Sequence, residues 1–119
     1  MAEHNELGKW GEEIASRYLQ EKGYVIIERD WKSGKKDIDI IAIDNDVYVF
    51  VEVKARQNRM FGEPANAVNY YKMQYLKQAI SNYIKYRRLN NNVRFDIVTI
   101  VGQIGERPEI EHIKDISII

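Results

Sequence analysis

The sequence predicts an α/β sandwich, in which a mixed β-sheet carries a helical layer on each side. Two observations lead to this class: two segments repeat apolar residues at helical spacing, and four short segments are rich in β-branched residues. The predicted order along the chain is α-β-β-β-α-β, with one more short strand at the end. A length of 119 residues suits one domain, so we treat residues 1–119 as a single domain.

The two helical segments are recognised by their apolar faces. Apolar residues recur every three or four positions from Leu7 to Lys22, and Gly23 supplies the usual C-terminal stop. A second amphipathic helix is expected from Ala65 to Arg88. Most tyrosines of this second helix are expected to be core or half-buried residues, and they are Tyr70, Tyr71, Tyr75, Tyr83 and Tyr86.

The strands follow from short runs of β-branched and aromatic residues. Turn-forming residues separate the second strand from the third, at Asp44-Asn45-Asp46. The expected strands are Tyr24–Arg29, Asp37–Ile43, Val47–Lys54, Val93–Val101 and, as a last short strand, Glu109–Ile113.

The hairpin formed by the second and third strands gathers charge at one end. With the turn centred on Asn45-Asp46, Asp39 lies opposite Glu52, and Asp37 lies opposite Lys54. Because side chains alternate between the faces of a strand, these four share one face at the end away from the turn. The other face is expected to be wholly apolar and comprises Ile38, Ile40, Ala42, Val47, Val49, Val51 and Val53.

Directly opposed carboxylates destabilise a hairpin unless a cation compensates them. A divalent ion between Asp39 and Glu52 would do so, and Mg²⁺ is typically held by one or two carboxylates plus water and phosphate oxygens. Lys54 could then orient the attacking water or neutralise the phosphate. The alternative is an ion pair between Asp37 and Lys54 at a solvated strand end, with both other carboxylates exposed.

Six ordered motifs extend this pattern along the chain. Asp39 followed by Glu52-Val53-Lys54 resembles the Asp…Glu-x-Lys signature of the restriction-endonuclease-like (PD-(D/E)XK) superfamily. The whole set is similar to the small bacterial YraN-type family, which is related to archaeal Holliday-junction resolvases. The stretches are Leu7-Gly8-x-x-Gly11-Glu12, Gly23-Tyr24, Asp37-Ile38-Asp39-Ile40-Ile41-Ala42, Phe50-Val51-Glu52-Val53-Lys54-Ala55-Arg56, Phe61-Gly62-x-Pro64-x-x-Ala67-Val68 with Lys72, and Arg94-Phe95-Asp96-Ile97-Val98.

The resemblance implies a restriction-endonuclease-like αβββαβ sandwich that binds Mg²⁺ or Mn²⁺. It implies that Asp39, Glu52 and the Val53 carbonyl hold the metal, and that Lys54 orients water. Glu12 occupies the position of a first-helix glutamate that joins the site in related nucleases, and its alternative is an ordinary solvated carboxylate. One departure stands at Lys36-Asp37, where the family usually has Gly-Glu.

The net charge is zero, from 18 basic and 18 acidic residues, but the charges are segregated. Residues 53–95 carry nine basic side chains and one acidic, whereas the flanking segments are acidic. A polyanion partner and a basic helix packed against acidic strands both explain this. Under the first explanation the phosphate-binding residues are Arg56, Lys72, Lys77, Arg87 and Arg88.

These features lead to a Mg²⁺-dependent DNA endonuclease or phosphodiesterase as the expected function, acting on branched or junction DNA, with a homodimer as a plausible assembly. The alternatives are a non-catalytic nucleic-acid-binding module with a degenerate nuclease fold, and an interaction domain whose acidic site is a relic.

Composition excludes several other classes. The absence of cysteine removes disulfides, thiolate zinc sites and cysteine nucleophiles, and the chain has only two histidines. The polar N-terminus and the lack of a long apolar run predict neither a signal peptide nor a membrane partner, so a cytoplasmic location is expected.

Four further residues have expected structural roles. His112 is expected to be exposed, and Asp96 is expected to tie a strand end. Gly8 and Gly11 are expected to let the first helix pack closely.

Overall fold

A computed structural model describes residues 2–116 of the chain, and the side chains of residues 6–116. No helix within residues 2–116 is both long and apolar enough to cross a membrane. The elements in chain order are α1 (Ala2–Glu21), β1 (Val25–Ser33), β2 (Lys36–Asp44), β3 (Val47–Arg56), a 3₁₀ turn (Pro64–Ala67), α2 (Tyr70–Arg87), β4 (Val93–Val101) and β5 (Glu109–Ile113).

The five strands form one mixed sheet in the order β1-β2-β3-β4-β5. β3 and β4 run parallel, joined through α2, and the other neighbouring pairs are antiparallel. The predicted αβββαβ order with a further terminal strand is therefore confirmed.

Each face of the sheet is covered by one helix, and each interface is a separate apolar core. α1 covers one face, and the buried residues of that core are Ala15, Leu19, Tyr24, Ile40, Ala42, Val49, Val51, Ala55, Val98 and Ile100. α2 covers the opposite face, where the buried residues are Ile38, Ile41, Phe50, Leu76, Ala79, Ile80, Tyr83, Phe95 and Ile97. The helical periodicity of the sequence thus corresponds to two buried stripes on opposite sides of one sheet.

Three predicted boundaries were wrong by more than two residues. α1 begins at Ala2, five residues before the predicted start at Leu7. α2 begins at Tyr70 and not at Ala65, because a 3₁₀ turn precedes it and Asn69 caps it, accepting a hydrogen bond of 3.0 Å from the backbone N–H of Lys72. β1 runs on to Ser33, beyond the predicted end at Arg29, because its distal residues pair with the start of β2.

The expectation that most α2 tyrosines are core or half-buried was also wrong. Tyr83 is fully buried, but Tyr70, Tyr71 and Tyr86 are 69%, 80% and 70% exposed. The buried stripe of α2 follows Leu76, Ala79, Ile80 and Tyr83, and the exposed tyrosines lie beside or opposite that stripe.

A buried polar network ties β4 to β5. The Asp96 carboxylate is fully buried and accepts hydrogen bonds from Arg94 Nε (2.9 Å) and from the Asp115 backbone N–H (3.0 Å). His112 Nε2 lies 2.7 Å from Asp96 Oδ2. The side chain of His112 is only 4% exposed, so its predicted exposure was wrong, because Asp96 and the Tyr18 and Tyr24 rings enclose it.

The two glycines of α1 have different surroundings. A Cβ added at Gly11 would lie 2.6 Å from the Cβ of Ala55, so Gly11 does allow α1 to approach β3 closely. No atom lies within 4 Å of a Cβ built at Gly8, so the close packing predicted there was wrong.

Candidate functional site

The β2–β3 hairpin has the predicted register, from Asp44 opposite Val47 to Ile40 opposite Val51. Past Ile40 the regular pairing ends, and the backbone N–H of Val53 donates a 2.8 Å hydrogen bond to Oδ2 of Asp39. The Asp39 carboxylate therefore takes the place of a backbone acceptor where the two strands part.

The alternation of side chains in β2 is broken at the same point. Ile38 was predicted on the face of Ile40, but it packs with Ile41 in the core under α2. On the neighbouring strand β1, Asp30 has a positive φ of 52° between the pairs Arg29–Ile40 and Trp31–Ile38. Because β1 and β2 are irregular here, the strict alternation of side chains between the two faces of β2 does not continue through Asp39.

Asp39 and Glu52 form a carboxylate pair in which Glu52 is buried, at 3% exposed, and Asp39 is half-buried. Burial, and then the charge of Glu52, raise the pKa of Asp39 to about 8, although the hydrogen bond from the Val53 N–H opposes the increase. In the absence of a metal ion, the raised pKa therefore keeps Asp39 largely protonated near neutral pH.

Two ammonium groups approach Glu52 from different elements. Lys54 Nζ on β3 lies 3.3 Å from Glu52 Oε2, and Lys72 Nζ on α2 lies 3.5 Å from the same oxygen. Asn69 fixes the turn that carries Lys72, and the Tyr75 ring centroid lies 4.8 Å from its Nζ. Lys72 was predicted as a phosphate contact, and its approach to Glu52 depends on how α2 packs on the sheet.

Glu12 of α1 is directed toward the same region. Its side chain is 22% exposed, and Arg29 Nε of β1 lies 3.5 Å from Glu12 Oε1. Burial raises the pKa of Glu12 although the charge of Arg29 opposes the increase. Glu12 also contributes to the raised pKa of Asp39. Glu12 is therefore electrostatically part of this cluster.

Asp37 does not join the cluster. Asp37 lies opposite Lys32 on β1, and its carboxylate is 3.8 Å from Lys32 Nζ and 3.3 Å from the Tyr75 hydroxyl. The alternative arrangement, with Asp37 paired to Lys54 and Glu52 exposed, was wrong, because Lys54 contacts Glu52 and Glu52 is buried.

The donor set at this point is small. No group of three or more carboxylate or imidazole side chains converges as a metal site in the part of the chain with described side chains. Two carboxylates and a backbone carbonyl nevertheless match what Mg²⁺ takes from proteins, since it keeps several waters. A divalent cation beside Asp39 would favour its ionised form and so lower the pKa that burial and Glu52 raise.

The other predicted phosphate-binding residues are spread along the surface. Arg56 is exposed at the end of β3, and Lys77 is exposed on α2. Arg87 contacts Glu28 at 3.4 Å, and Arg88 follows it in a left-handed conformation. At about 1.5 Å per residue, Arg87 lies roughly 22 Å along the helix from Lys72. These residues could only contact separate phosphates.

The fold and site together define a class: an α/β protein with the αβββαβ order and an Asp–Glu–Lys cluster where two central strands part. The chain belongs to the uncharacterised protein family UPF0102, whose sequence profile matches residues 11–100. It is 44% identical over 115 residues to a UPF0102 protein of Bacteroides thetaiotaomicron, covering 97% of this chain and 94% of the relative.

Relatives in other bacteria are nearly as similar. A UPF0102 protein of Flavobacterium psychrophilum is 43% identical over 115 residues, covering 97% of this chain and 96% of its own length. One from Rhodococcus opacus is 40% identical over 116 residues, covering 97% and 98%. The YraN-type resemblance noted in the sequence is thereby confirmed.

Proposed function

We propose that this protein is a divalent-metal-dependent phosphodiesterase that cleaves DNA. The single observation that carries the proposal is the pair of the half-buried Asp39 and the buried Glu52, with Lys54 Nζ 3.3 Å from Glu52. Groups with strongly perturbed pKa values are concentrated in active sites, and the pKa of Asp39 is strongly raised.

Mg²⁺ or Mn²⁺ would be held by the carboxylates of Asp39 and Glu52 and by the Val53 carbonyl. When bound, such an ion supplies the positive charge that offsets both carboxylates and the charge developing on a scissile phosphate. The Val53 N–H donates a hydrogen bond to Oδ2 of Asp39 and so fixes the orientation of this carboxylate.

Lys54 is the residue best placed to orient the attacking water. Its side chain is 24% exposed, so part of it faces solvent while the ammonium contacts Glu52. Lys72 brings a second ammonium to the same carboxylate, and in this proposal it would neutralise a phosphate oxygen of the substrate. Glu12, held by Arg29, is a further acidic group at the edge of the cluster.

The basic side chains outside the cluster suit a DNA substrate. Lys77, Lys85 and Arg88 are exposed, and no carboxylate lies within 4 Å of their charged groups in the described part of the chain. Contacts of this kind bind backbone phosphates without reading sequence. Because the whole chain is neutral, we expect modest affinity for plain duplex, and selectivity for branched or junction geometry. A homodimer would offer one such site to each strand.

A non-catalytic nucleic-acid-binding module is the second candidate, and one observation favours it. Lys54 and Lys72 already neutralise Glu52, so the carboxylate pair can persist in the fold without a metal. Both candidates predict salt-dependent DNA binding, so binding alone does not separate them.

Cleavage separates the two candidates. Purified protein is incubated with Holliday-junction, flap and plasmid DNA in Mg²⁺, Mn²⁺ or EDTA, alongside the variants Asp39→Asn and Lys54→Ala. We expect metal-dependent cutting that each substitution reduces about 100-fold or more. Asp46→Asn, in the exposed hairpin turn, is the matched control and should cut normally. If no substrate is cut with either ion, the catalytic proposal fails and the binding module remains.

A further inference from the structure

A cavity of about 620 Å³ lies next to the carboxylate cluster. It is bounded by the start of α1, the end of β3 and the loop that follows β3. Its volume is within the range of about 300–1,000 Å³ that is typical of small-ligand sites. The residues that matter for its chemistry are Gly8, Lys54, Arg56, Gln57, Asn58 and Phe61.

Phe61 is the aromatic residue of this cavity. It is 98% exposed, and it lies beside Gly62, whose φ is +103°. The loop around it is held by hydrogen bonds from the Gly62 N–H to the Arg59 carbonyl (3.0 Å) and from the Met60 N–H to the Asn58 side chain (2.9 Å).

The same loop is also tied to β5. Arg59 bridges Glu63 at 3.1 Å and Glu109 at 3.2 Å, so one guanidinium links the loop to the last strand. These hydrogen bonds and ion pairs restrain the loop backbone, while the Phe61 ring remains exposed to solvent.

We propose that this cavity binds an unpaired nucleobase of single-stranded DNA, next to the phosphate that the carboxylate cluster addresses. Phe61 would stack on the base, and the Gln57 amide, both donor and acceptor, would reach its edge. The Asn58 NH₂ group would donate to the base, since the Asn58 Oδ1 already accepts from the Met60 N–H. Arg56 and Lys54 supply positive charge for the flanking phosphates, and none of the lining residues is acidic.

The proposal deepens the proposed function by naming a substrate class, and its position beside the scissile phosphate rests on that function. A paired base is stacked and hydrogen-bonded within the duplex, so it cannot enter a cavity without being extruded. Substrates that already contain unpaired nucleotides, such as single strands, flaps and frayed junctions, avoid that cost. The cavity should therefore discriminate single-stranded from duplex DNA.

Gly8 offers a way to close the cavity without disturbing the core. It lines the cavity from α1, and no atom lies within 4 Å of a Cβ built there. A leucine at this position has room to fold into α1 and would occupy part of the space that a base requires.

Binding in EDTA, measured by fluorescence anisotropy with a labelled 12-nucleotide single strand and the matching duplex, tests the proposal without cleavage. Wild type should prefer the single strand. Phe61→Ala should weaken single-strand binding about 5- to 150-fold, the range that corresponds to loss of one base–aromatic stack, and leave duplex binding unchanged. Gly8→Leu should act in the same direction, and Phe61→Trp should retain the preference.

Met60→Ala is the matched control, because Met60 precedes Phe61, is 76% exposed and does not line the cavity. Equal affinity of wild type and Phe61→Ala for the single strand would overturn the proposal, as would a loss that is equal for single strand and duplex. If Asp39-dependent cleavage is found while Phe61→Ala changes nothing, the base site fails alone. If no DNA is cut but the single-strand preference depends on Phe61, the base site stands and the catalytic proposal fails.

Discussion

Replacing the two glycines of α1 by alanine, one at a time, should have opposite effects on stability. Gly8→Ala should stabilise the protein, and Gly11→Ala should destabilise it. Gly8 and Gly11 lie three residues apart on one helix, yet an added Cβ would contact β3 only at Gly11. Alanine is the better helix former at both positions, by roughly 1 kcal/mol. Gly8→Ala should therefore stabilise the protein by about 0.5–1 kcal/mol, since its new methyl group meets no atom within 4 Å.

At Gly11 the same methyl group has no room. Its carbon would lie 2.6 Å from the Cβ of Ala55, whereas carbon atoms in contact are ordinarily about 3.5–4.0 Å apart. Ala55 is a residue of β3, the central strand of the sheet, and its Cβ is fixed to the strand backbone. To restore an ordinary contact distance, α1 must therefore shift away from β3 by roughly 1 Å. Overpacking of this kind costs about 1–3 kcal/mol, and the gain in helix propensity offsets part of it. Gly11→Ala should be about 1–3 kcal/mol less stable than Gly8→Ala.

Urea unfolding followed by circular dichroism measures this difference directly. A double-mutant cycle with Ala55→Gly locates its cause, because removing the Ala55 methyl group should relieve most of the penalty in the Gly11→Ala background. Equal stability of the two alanine variants, or no coupling between positions 11 and 55, would refute the reasoning about how α1 is seated on β3.

Three further predictions concern charged residues. Burial and the charge of Glu52 raise the pKa of Asp39 to about 8, so in EDTA its protonated form favours folding at low pH, and that stability is lost as the pH rises toward 8. The advantage of Asp39→Asn over wild type in urea unfolding should accordingly grow from about pH 5 to about pH 8, and a constant difference would contradict it. At Asp96 burial acts to raise the pKa, but hydrogen bonds from His112 and Arg94 hold it below its usual value, so its stabilisation is present above about pH 4 and is lost in stronger acid. Asp96→Ala should cost about 1–3 kcal/mol near neutral pH, because His112 and the Asp115 N–H lose their buried acceptor and Arg94 keeps only Asp44 as a carboxylate partner; the cost should be smaller in acid, as thermal or urea unfolding would show. Finally, Lys77→Ala should reduce the salt dependence of DNA binding by about 0.9 in log–log slope, whereas Lys72→Ala should mainly reduce cleavage; equal effects of both in the two assays would contradict the placement of Lys72 beside Glu52.

The elements of this fold were largely predictable because their signals are local. Glu109–Ile113 and Val93–Val101 match the expected strands residue for residue, and the Asn45-Asp46 turn gives the expected register between β2 and β3. The start of α2 was not predictable from periodicity, because the segment before Tyr70 has helix-compatible residues but forms a separate 3₁₀ turn.

The candidate site was predicted in part. The placement of Asp39 near Glu52 follows from hairpin register alone, and register is a property of one turn. The hydrogen bond from the Val53 N–H to Asp39 was not foreseen, since it requires the strands to separate beyond Ile40. The reversal of Ile38 to the other face has the same origin, because β1 and β2 are irregular together at Asp30 and Asp39.

The sequence by itself determined the order of the elements, the register of the central hairpin and the family, because each depends on spacing along the chain. Only the tertiary structure decided which charges meet. Lys72 reaches Glu52 and His112 is enclosed beside Asp96, although each residue is distant in sequence from its partner. Phe61 and Gly8 line one cavity for the same reason. Such encounters depend on how helices pack on a sheet, and helix packing is set by contacts summed over the whole core.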